Sequence, residues 1–126
     1  MVNDPISDLL IRLQNASRAG KTHVGIPHSR MKISIAKILK REGYLAGADK
    51  KNNTLTLSLL YKNGRSAISG VKRISKLSRR IYLGVRDLRP VKRGYGTLVL
   101  STPEGVMTGK EARQKRTGGE ALFEIW

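Results

Sequence analysis

Apolar side chains fall at Ile6, Leu9, Leu10 and Leu13, the three-to-four spacing of a single helix face. Asp4 followed by Pro5 marks the start: the carboxylate caps the first amides, and proline suits the first helical position, where an N–H has no partner anyway. Gly20 is the natural stop. Arg12, Asn15 and Arg18 lie off the stripe and face solvent or a ligand. Thr22 to Ile26 predicts a short strand ended by Pro27. Ser29 then caps a second helix from about Arg30 to Glu42, with Met31, Ile35, Ile38 and Leu39 as its apolar side, Lys32, Lys37, Lys40 and Arg41 as its charge, and Gly43 as its end. Tyr44-Leu45 opens a strand, Lys50 to Asn53 is a turn, and Thr54 to Leu59 alternates with period two, so one face is buried and the other polar. Asn63-Gly64 is a hairpin dipeptide, with Ser66 to Ser69 as the strand that follows.

The second half changes character. Val71 to Leu83 is basic with apolar residues interspersed, Asp87 to Val91 is a short turn or helix, and Gly94-Tyr95-Gly96 punctuates the chain before a strand over Thr97 to Leu100. Thr108-Gly109-Lys110-Glu111 fits a capping box, in which the threonine hydroxyl accepts from the third helical amide and the glutamate reaches back to the cap amide. A short helix over about Gly109 to Lys115 follows. Gly118-Gly119 breaks it, and Glu120 to Trp126 reads as a final strand. The pattern predicts an α+β fold of two small domains: an N-terminal α/β domain over 1–66, two helices on a small sheet, and a mainly β C-terminal domain over 67–126 with one short helix.

Composition adds a partner. In 126 residues, 25 Lys and Arg face 9 Asp and Glu, a net charge of +16. Such a surface wants a polyanion, and nucleic acid is the default, because each phosphate neutralised releases condensed counterions. The excess leans to the second half: Lys72 to Arg93 carries nine basic residues against Asp87 alone. A membrane surface would need a long apolar run or a basic helix with a bulky apolar face, and the sequence has neither. The polar start at Met1-Val2-Asn3-Asp4-Pro5 is not that of a signal peptide. With no Cys, disulfides and thiolate metal sites are excluded, which fits a cytosolic or organelle-matrix protein.

Catalytic templates fail. Gly105 to Glu111 is one residue short of a phosphate loop and has no Ser or Thr after its Lys. His23 and His28 flank the Pro27 break without nearby carboxylates, and the acids are dispersed singly, with no pair for general acid and base work. No cofactor is expected. A binding surface fares better. Ser101, Thr102 and Thr108 with Gly105 lie past a strand end and before a capped helix. Hydroxyls there can reach sugar 2′-OH groups and base edges, a glycine permits close backbone approach, and a helix N-terminus favours phosphate. The same residues could simply make turn and cap hydrogen bonds. Tyr82 beside Arg79 and Arg80 is either a stacking platform between cations or a core tyrosine. Lys110, Arg113, Lys115 and Arg116 line the short helix and the turn after it as phosphate contacts or a solvated face, and Gly118-Gly119-Glu120 alone could be a helix stop.

Ser-Thr-x-x-Gly-Val-Met-Thr at 101–108, then Glu-Ala-Arg and Gly-Gly-Glu leading into a strand, closely resembles the signature of the bacterial-type small-subunit ribosomal protein eight family. Asp4-Pro5-Ile6-Ser7-Asp8-Leu9-Leu10 with Arg12 and Asn15, Ile26-Pro27-x-Ser29, and Leu39-Lys40-x-x-Gly43-Tyr44 are similar to the same family, in order along the chain. The resemblance implies a non-enzymatic constituent of the small ribosomal subunit that binds the central domain of its RNA early and directly, and in some members represses translation of its own messenger. It implies RNA contacts at Ser101, Thr102, Gly105, Met107, Thr108, Gly118, Gly119 and Glu120. To these the basic and polar candidates Lys110, Arg113, Tyr82, Arg79, Arg80, Arg12, Asn15, Ser29, Arg30 and Lys32 are added. The implied partners are that RNA and neighbouring small-subunit proteins, with the chain a monomer within a cytoplasmic or organelle ribosome and no membrane. Two departures stand out: Pro103 where the family often has a third hydroxyl, and Leu77-Ser78 where it often has a Pro-Gly turn. The rival readings are a free-standing nucleic-acid-binding regulator, which calls for a dimer and a groove-reading helix, and a small RNA-processing enzyme, which calls for a carboxylate or histidine cluster.

Overall fold

Asp4 Oδ1 accepts from the amides of Ile6 and Ser7 at 3.2 Å each, and this cap starts helix α1 (Pro5–Arg18). The structure, a computed structural model, describes residues 4–91 and 94–126. Met1 to Asn3, used above for the character of the chain start, and Lys92 and Arg93, which close the basic segment, lie outside the described residues. The chain divides into units Met1–Ser69 and Gly70–Trp126, where the sequence reading put the division at 66 and 67.

In the first unit Ile6, Leu9, Leu10, Leu13 and Ala16 of α1 are buried, the stripe that the spacing predicts. Gly20 follows with φ +71°, a left-handed value that glycine adopts without strain. Strand β1 (His23–Pro27) leads to α2 (Arg30–Arg41), whose cap is the Ser29 hydroxyl accepting from Lys32 N at 3.2 Å. Strands β2 (Leu45–Lys51) and β3 (Thr54–Leu59) form a hairpin through Asn52-Asn53, and β1 pairs with the far side of β3, giving an antiparallel sheet in the order β1-β3-β2. Leu55, Leu57 and Leu59 are buried on one face of β3 and Thr54, Thr56 and Ser58 lie on the other, as period-two alternation requires. Both helices pack against this sheet.

Two expectations in this unit are corrected. After Asn63 (φ 54°) and Gly64 (φ 77°), the left-handed pair of a primed hairpin turn, the strand is β5 (Arg65–Ser66), not Ser66 to Ser69, and it pairs with β4 (Tyr61–Lys62). Beyond Ser66 the backbone turns away, and the Ser66 hydroxyl accepts from Ile68 N at 3.2 Å, a local bond that replaces the ladder. Lys32 is the second. It is 6% exposed, and its ammonium donates to the Pro27 carbonyl at 3.2 Å and sits 3.8 Å from Asp8. Positions 32, 35, 36 and 39 share one helix face, so Lys32 belongs to the buried side of α2, not to its charged side.

The second unit contains β6 (Val71–Arg73), β7 (Tyr82–Leu83), a 3-10 turn at Val85–Asp87, β8 (Thr97–Thr102), β9 (Gly105–Thr108), α3 (Gly109–Gln114) and β10 (Gly119–Ile125). Its antiparallel sheet runs β6-β10-β8-β9, with β7 also alongside β10. Thus β7 pairs with Gly119 and Glu120, while β6 pairs with Phe123 to Ile125. On one face Leu98, Leu100, Met107 and Ala121 pack with Leu88, Val91 and Ala112 of α3 into a buried cluster. The unexpected element is β9. The hydroxyl-rich stretch read as a loop is a tight hairpin in which Thr102 pairs with Gly105, leaving only Pro103-Glu104 as its tip. The architecture is α+β: two helices and a small sheet in the first unit, mostly sheet with one short helix in the second.

Candidate RNA interface

Antiparallel register places three candidate positions and Val106 side by side. Ser101 of β8 lies opposite Val106 of β9 and Glu120 of β10, and Glu120 lies opposite Tyr82 of β7. Residues directly opposite one another point to the same face. The sheet therefore carries a row, Val106-Ser101-Glu120-Tyr82, on the face opposite the cluster of Leu100, Met107 and Ala121. Tyr82 is 70% exposed, which rules out the core alternative for that ring.

Within the row one polar group is held by an ion pair. Arg80 Nη1 donates to Glu120 Oε2 at 2.9 Å. Ser101 Oγ makes no hydrogen bond to any described residue. The loop that brings Arg79, Arg80 and Tyr82 to the row is tied at its base by Ser75. That residue is fully buried; its hydroxyl accepts from Ile81 N at 2.7 Å, and its amide donates to the Ala121 carbonyl at 3.0 Å. Farther out, Lys76 and Arg79 exchange backbone hydrogen bonds of 2.9 and 3.1 Å, so Leu77-Ser78 closes a tight turn without the Pro-Gly pair. Ser75 and Val106 were not singled out from sequence. Ser75 has no local signal, since its role depends on a partner strand 46 positions later, and Val106 would have been found from the alternation Val106, Thr108 had β9 been recognised.

The two glycines have a close-packing reason. A Cβ on Gly119 would be driven into the Ser101 carbonyl, and one on Gly118 into the Leu83 carbonyl, with Gly84 Cα at 2.9 Å. Only glycine lets β7, β10 and β8 approach so closely.

The other hydroxyls of the stretch are already engaged. Thr102 Oγ1 donates to the Gly105 carbonyl at 2.8 Å and accepts from Glu104 N at 3.2 Å, which fastens the hairpin tip. Pro103 occupies the turn position that its fixed φ suits. Gly105, with φ +121°, takes a conformation that side chains rarely adopt. Thr108 is 2% exposed and completes the expected capping box: its hydroxyl accepts from Glu111 N at 3.1 Å, and Glu111 Oε1 accepts from Thr108 N at 3.2 Å. Met107 is 4% exposed and belongs to the core cluster. Of the stretch 101 to 108, the structure brings Ser101 and Val106 to the row and turns Thr102, Met107 and Thr108 inward.

The same unit carries exposed cations, although α3 packs through Ala112 on the sheet face opposite the row. Lys110, Arg113, Lys115 and Arg116 are exposed on and just after α3, as is Arg79. In the first unit Arg12 is exposed, with Nε donating to Asp8 Oδ1 at 3.0 Å and Nη1 to the Gly25 carbonyl at 3.3 Å. Asn15 and Arg30 are exposed on their helices, Ser29 is spent as the α2 cap, and Lys32 is buried. Among the described residues no group of three or more His, Asp or Glu is arranged to hold a metal ion, and no helix is long and apolar enough to cross a membrane.

Comparison with known proteins agrees along the whole chain. The family model for ribosomal protein S8 matches residues 4–126. The chain is 44% identical over 126 residues to the small ribosomal subunit protein uS8 of Nitratidesulfovibrio vulgaris (strain DP4), with both chains covered in full. It is 46% identical to that of Lawsonia intracellularis (strain PHE/MN1-00) over 126 residues and 43% identical to that of Persephonella marina (strain DSM 14350 / EX-H1) over 136, again with complete coverage of both. A match of this extent is a family relationship: the chain belongs to the ribosomal protein S8 family.

Proposed function

We propose that this chain is a structural constituent of the small ribosomal subunit that binds the central domain of the small-subunit RNA directly and helps to organise it during assembly, with neighbouring small-subunit proteins as its further partners. The observation that carries this reading is the row Ser101-Glu120-Tyr82, a hydroxyl, a carboxylate and an exposed aromatic ring in register on one sheet face, in a unit that also exposes Arg79, Lys110, Arg113, Lys115 and Arg116. Cations supply affinity that is indifferent to sequence and sensitive to salt. The row supplies what cations cannot: hydrogen-bonding groups for sugar hydroxyls and base edges, and a ring on which an unstacked base can lie, the elements by which proteins distinguish an irregular RNA helix from a regular one. An RNA that mimics the ribosomal site, such as a segment of the chain's own messenger, would be bound by the same surface.

The test is equilibrium binding of the full chain to a central-domain RNA fragment, to an unrelated structured RNA and to duplex DNA at one fixed salt concentration. Preference for the central-domain fragment by at least an order of magnitude is expected. Equal affinity for all three would leave a basic protein without a specific site and sink the reading.

A further inference from the structure

A carboxylate in the middle of a surface for RNA needs a reason, because phosphate repels it and offers it no proton. Glu120 is not a stray rim acid. Its side chain is 16% exposed, and it lies between Ser101 and Tyr82 in the row. One carboxylate oxygen, Oε2, accepts from Arg80 Nη1 at 2.9 Å across 40 residues of sequence. The other, Oε1, makes no hydrogen bond to any described residue, and neither does the neighbouring Ser101 hydroxyl. The guanidinium that grips Oε2 comes from the loop fastened by buried Ser75, so its donor is delivered from a fixed base.

We infer that Arg80 is a positioning residue for Glu120: it occupies one carboxylate oxygen so that the other, beside Ser101 Oγ, accepts from a donor edge of the RNA, either a ribose 2′-hydroxyl or an exocyclic base amine. This rests on the RNA-binding reading above and assigns roles within it. A carboxylate is an acceptor only, so the groups that satisfy it in RNA are donors, such as the 2′-OH, the exocyclic amines of cytosine, guanine and adenine and the ring N–H groups of guanine and uracil, and never the phosphate. A charged acceptor makes a stronger hydrogen bond than a neutral one. Ion pairing with Arg80 offsets its charge, so the acid costs little repulsion as the backbone approaches. Arg80 thereby serves recognition without touching RNA, unlike Arg79, Lys110 and Arg113, whose exposed charges are free to meet phosphates.

The experiment compares the full chain with Arg80→Gln, Glu120→Gln, the double variant, and the swap Arg80→Glu with Glu120→Arg. Each is titrated with the central-domain fragment and with an unrelated structured RNA over a range of salt, and thermal melting checks that each folds. Glu120→Gln is expected to lose about tenfold on the central-domain fragment and nothing on the unrelated RNA. Arg80→Gln should show the same selective loss with an unflattened salt slope, and the double variant should be no worse than either single one, since both remove one oriented acceptor. The swap rebuilds the ion pair but puts a donor where the acceptor was, and it should not recover binding. Two outcomes overturn the assignment. If Arg80→Gln weakens both RNAs equally and reduces the log–log salt slope by about 0.9, Arg80 is a phosphate contact. If the swap restores selective binding, the pair only ties the loop to β10. Should Arg80→Gln melt before it can be assayed, Arg80→Lys keeps the cation without the planar fork. A smaller loss confined to the central-domain fragment is then expected, and an equal loss on both RNAs overturns the assignment. Absence of any preference by the unsubstituted chain is a different failure, that of the RNA-binding reading itself.

Discussion

A hydroxyl that already has partners has little to offer a ligand, and by this criterion the three hydroxyls of 101 to 108 separate. Thr102 fastens the hairpin tip and Thr108 caps α3, while the Ser101 hydroxyl has no hydrogen bond to a described residue. Ser101→Ala is therefore expected to leave stability within about 0.5 kcal/mol of the original, as for a surface change that breaks no internal bond. It should weaken binding to the central-domain fragment by up to about tenfold without altering the salt slope. Unchanged binding would assign Ser101 to the strand alone. Thr108→Ala should do the reverse: a loss of about 1 kcal/mol, the usual worth of an N-cap, seen as a lower melting temperature. Met107→Ala should cost about 2–5 kcal/mol, because it empties a place in the cluster around Leu100 and Ala112. If Met107→Ala left the melting temperature unmoved and abolished RNA binding, its placement in the core would be wrong. Local sequence could not make these distinctions. A Thr that caps and a Thr that meets RNA look the same until the backbone decides which way each points.

At the scale of elements, the signals that succeeded were those that state a period and an end together. Helix α1 combines an Asp-Pro start, a stripe at Ile6, Leu9, Leu10 and Leu13, and a left-handed glycine, and α2 combines a Ser cap with Ile35, Ile38 and Leu39. Strand β9 escaped because four residues are too few to show a period, and because Gly, Thr and a preceding Pro are loop chemistry by composition. Its existence follows from register with β8, a long-range fact. Lys32 was misread because residue type outweighed position, although 32, 35, 36 and 39 fall on one face. The four-position row was out of reach for the same reason as β9: its members come from four strands, and only pairing aligns them. Gly119→Ala tests that alignment directly. Its methyl would strike the Ser101 carbonyl, so the β8-β10 pairing must open, and the variant should lose both melting temperature and RNA binding. A folded, fully active Gly119→Ala would show that the close approach is dispensable. Lys110→Ala, by contrast, leaves α3 intact and should flatten the salt slope by about 0.9 or less with little effect on selectivity.

For the whole molecule, affinity and selectivity belong to different groups. The net charge of +16 pulls the chain onto any polyanion. The row carries little net charge, because Glu120 is paired with Arg80 and its other polar members, Ser101 and Tyr82, are neutral. Raising salt attenuates the first contribution, since released counterions re-enter a more concentrated solution, but short hydrogen bonds and base stacking are insensitive to screening. If the cations make equal numbers of phosphate contacts on every RNA, log affinity should fall along parallel lines against log salt for the central-domain fragment and for an unrelated structured RNA. The vertical gap between the lines then measures the row. Glu120→Gln should narrow that gap at all salt concentrations, and Lys110→Ala should tilt both lines and leave the gap alone. Titrations at four or five salt concentrations decide between this and the alternative, in which the gap closes as salt rises; selectivity would then come from the placement of Lys and Arg, and the row would have no part in reading the RNA.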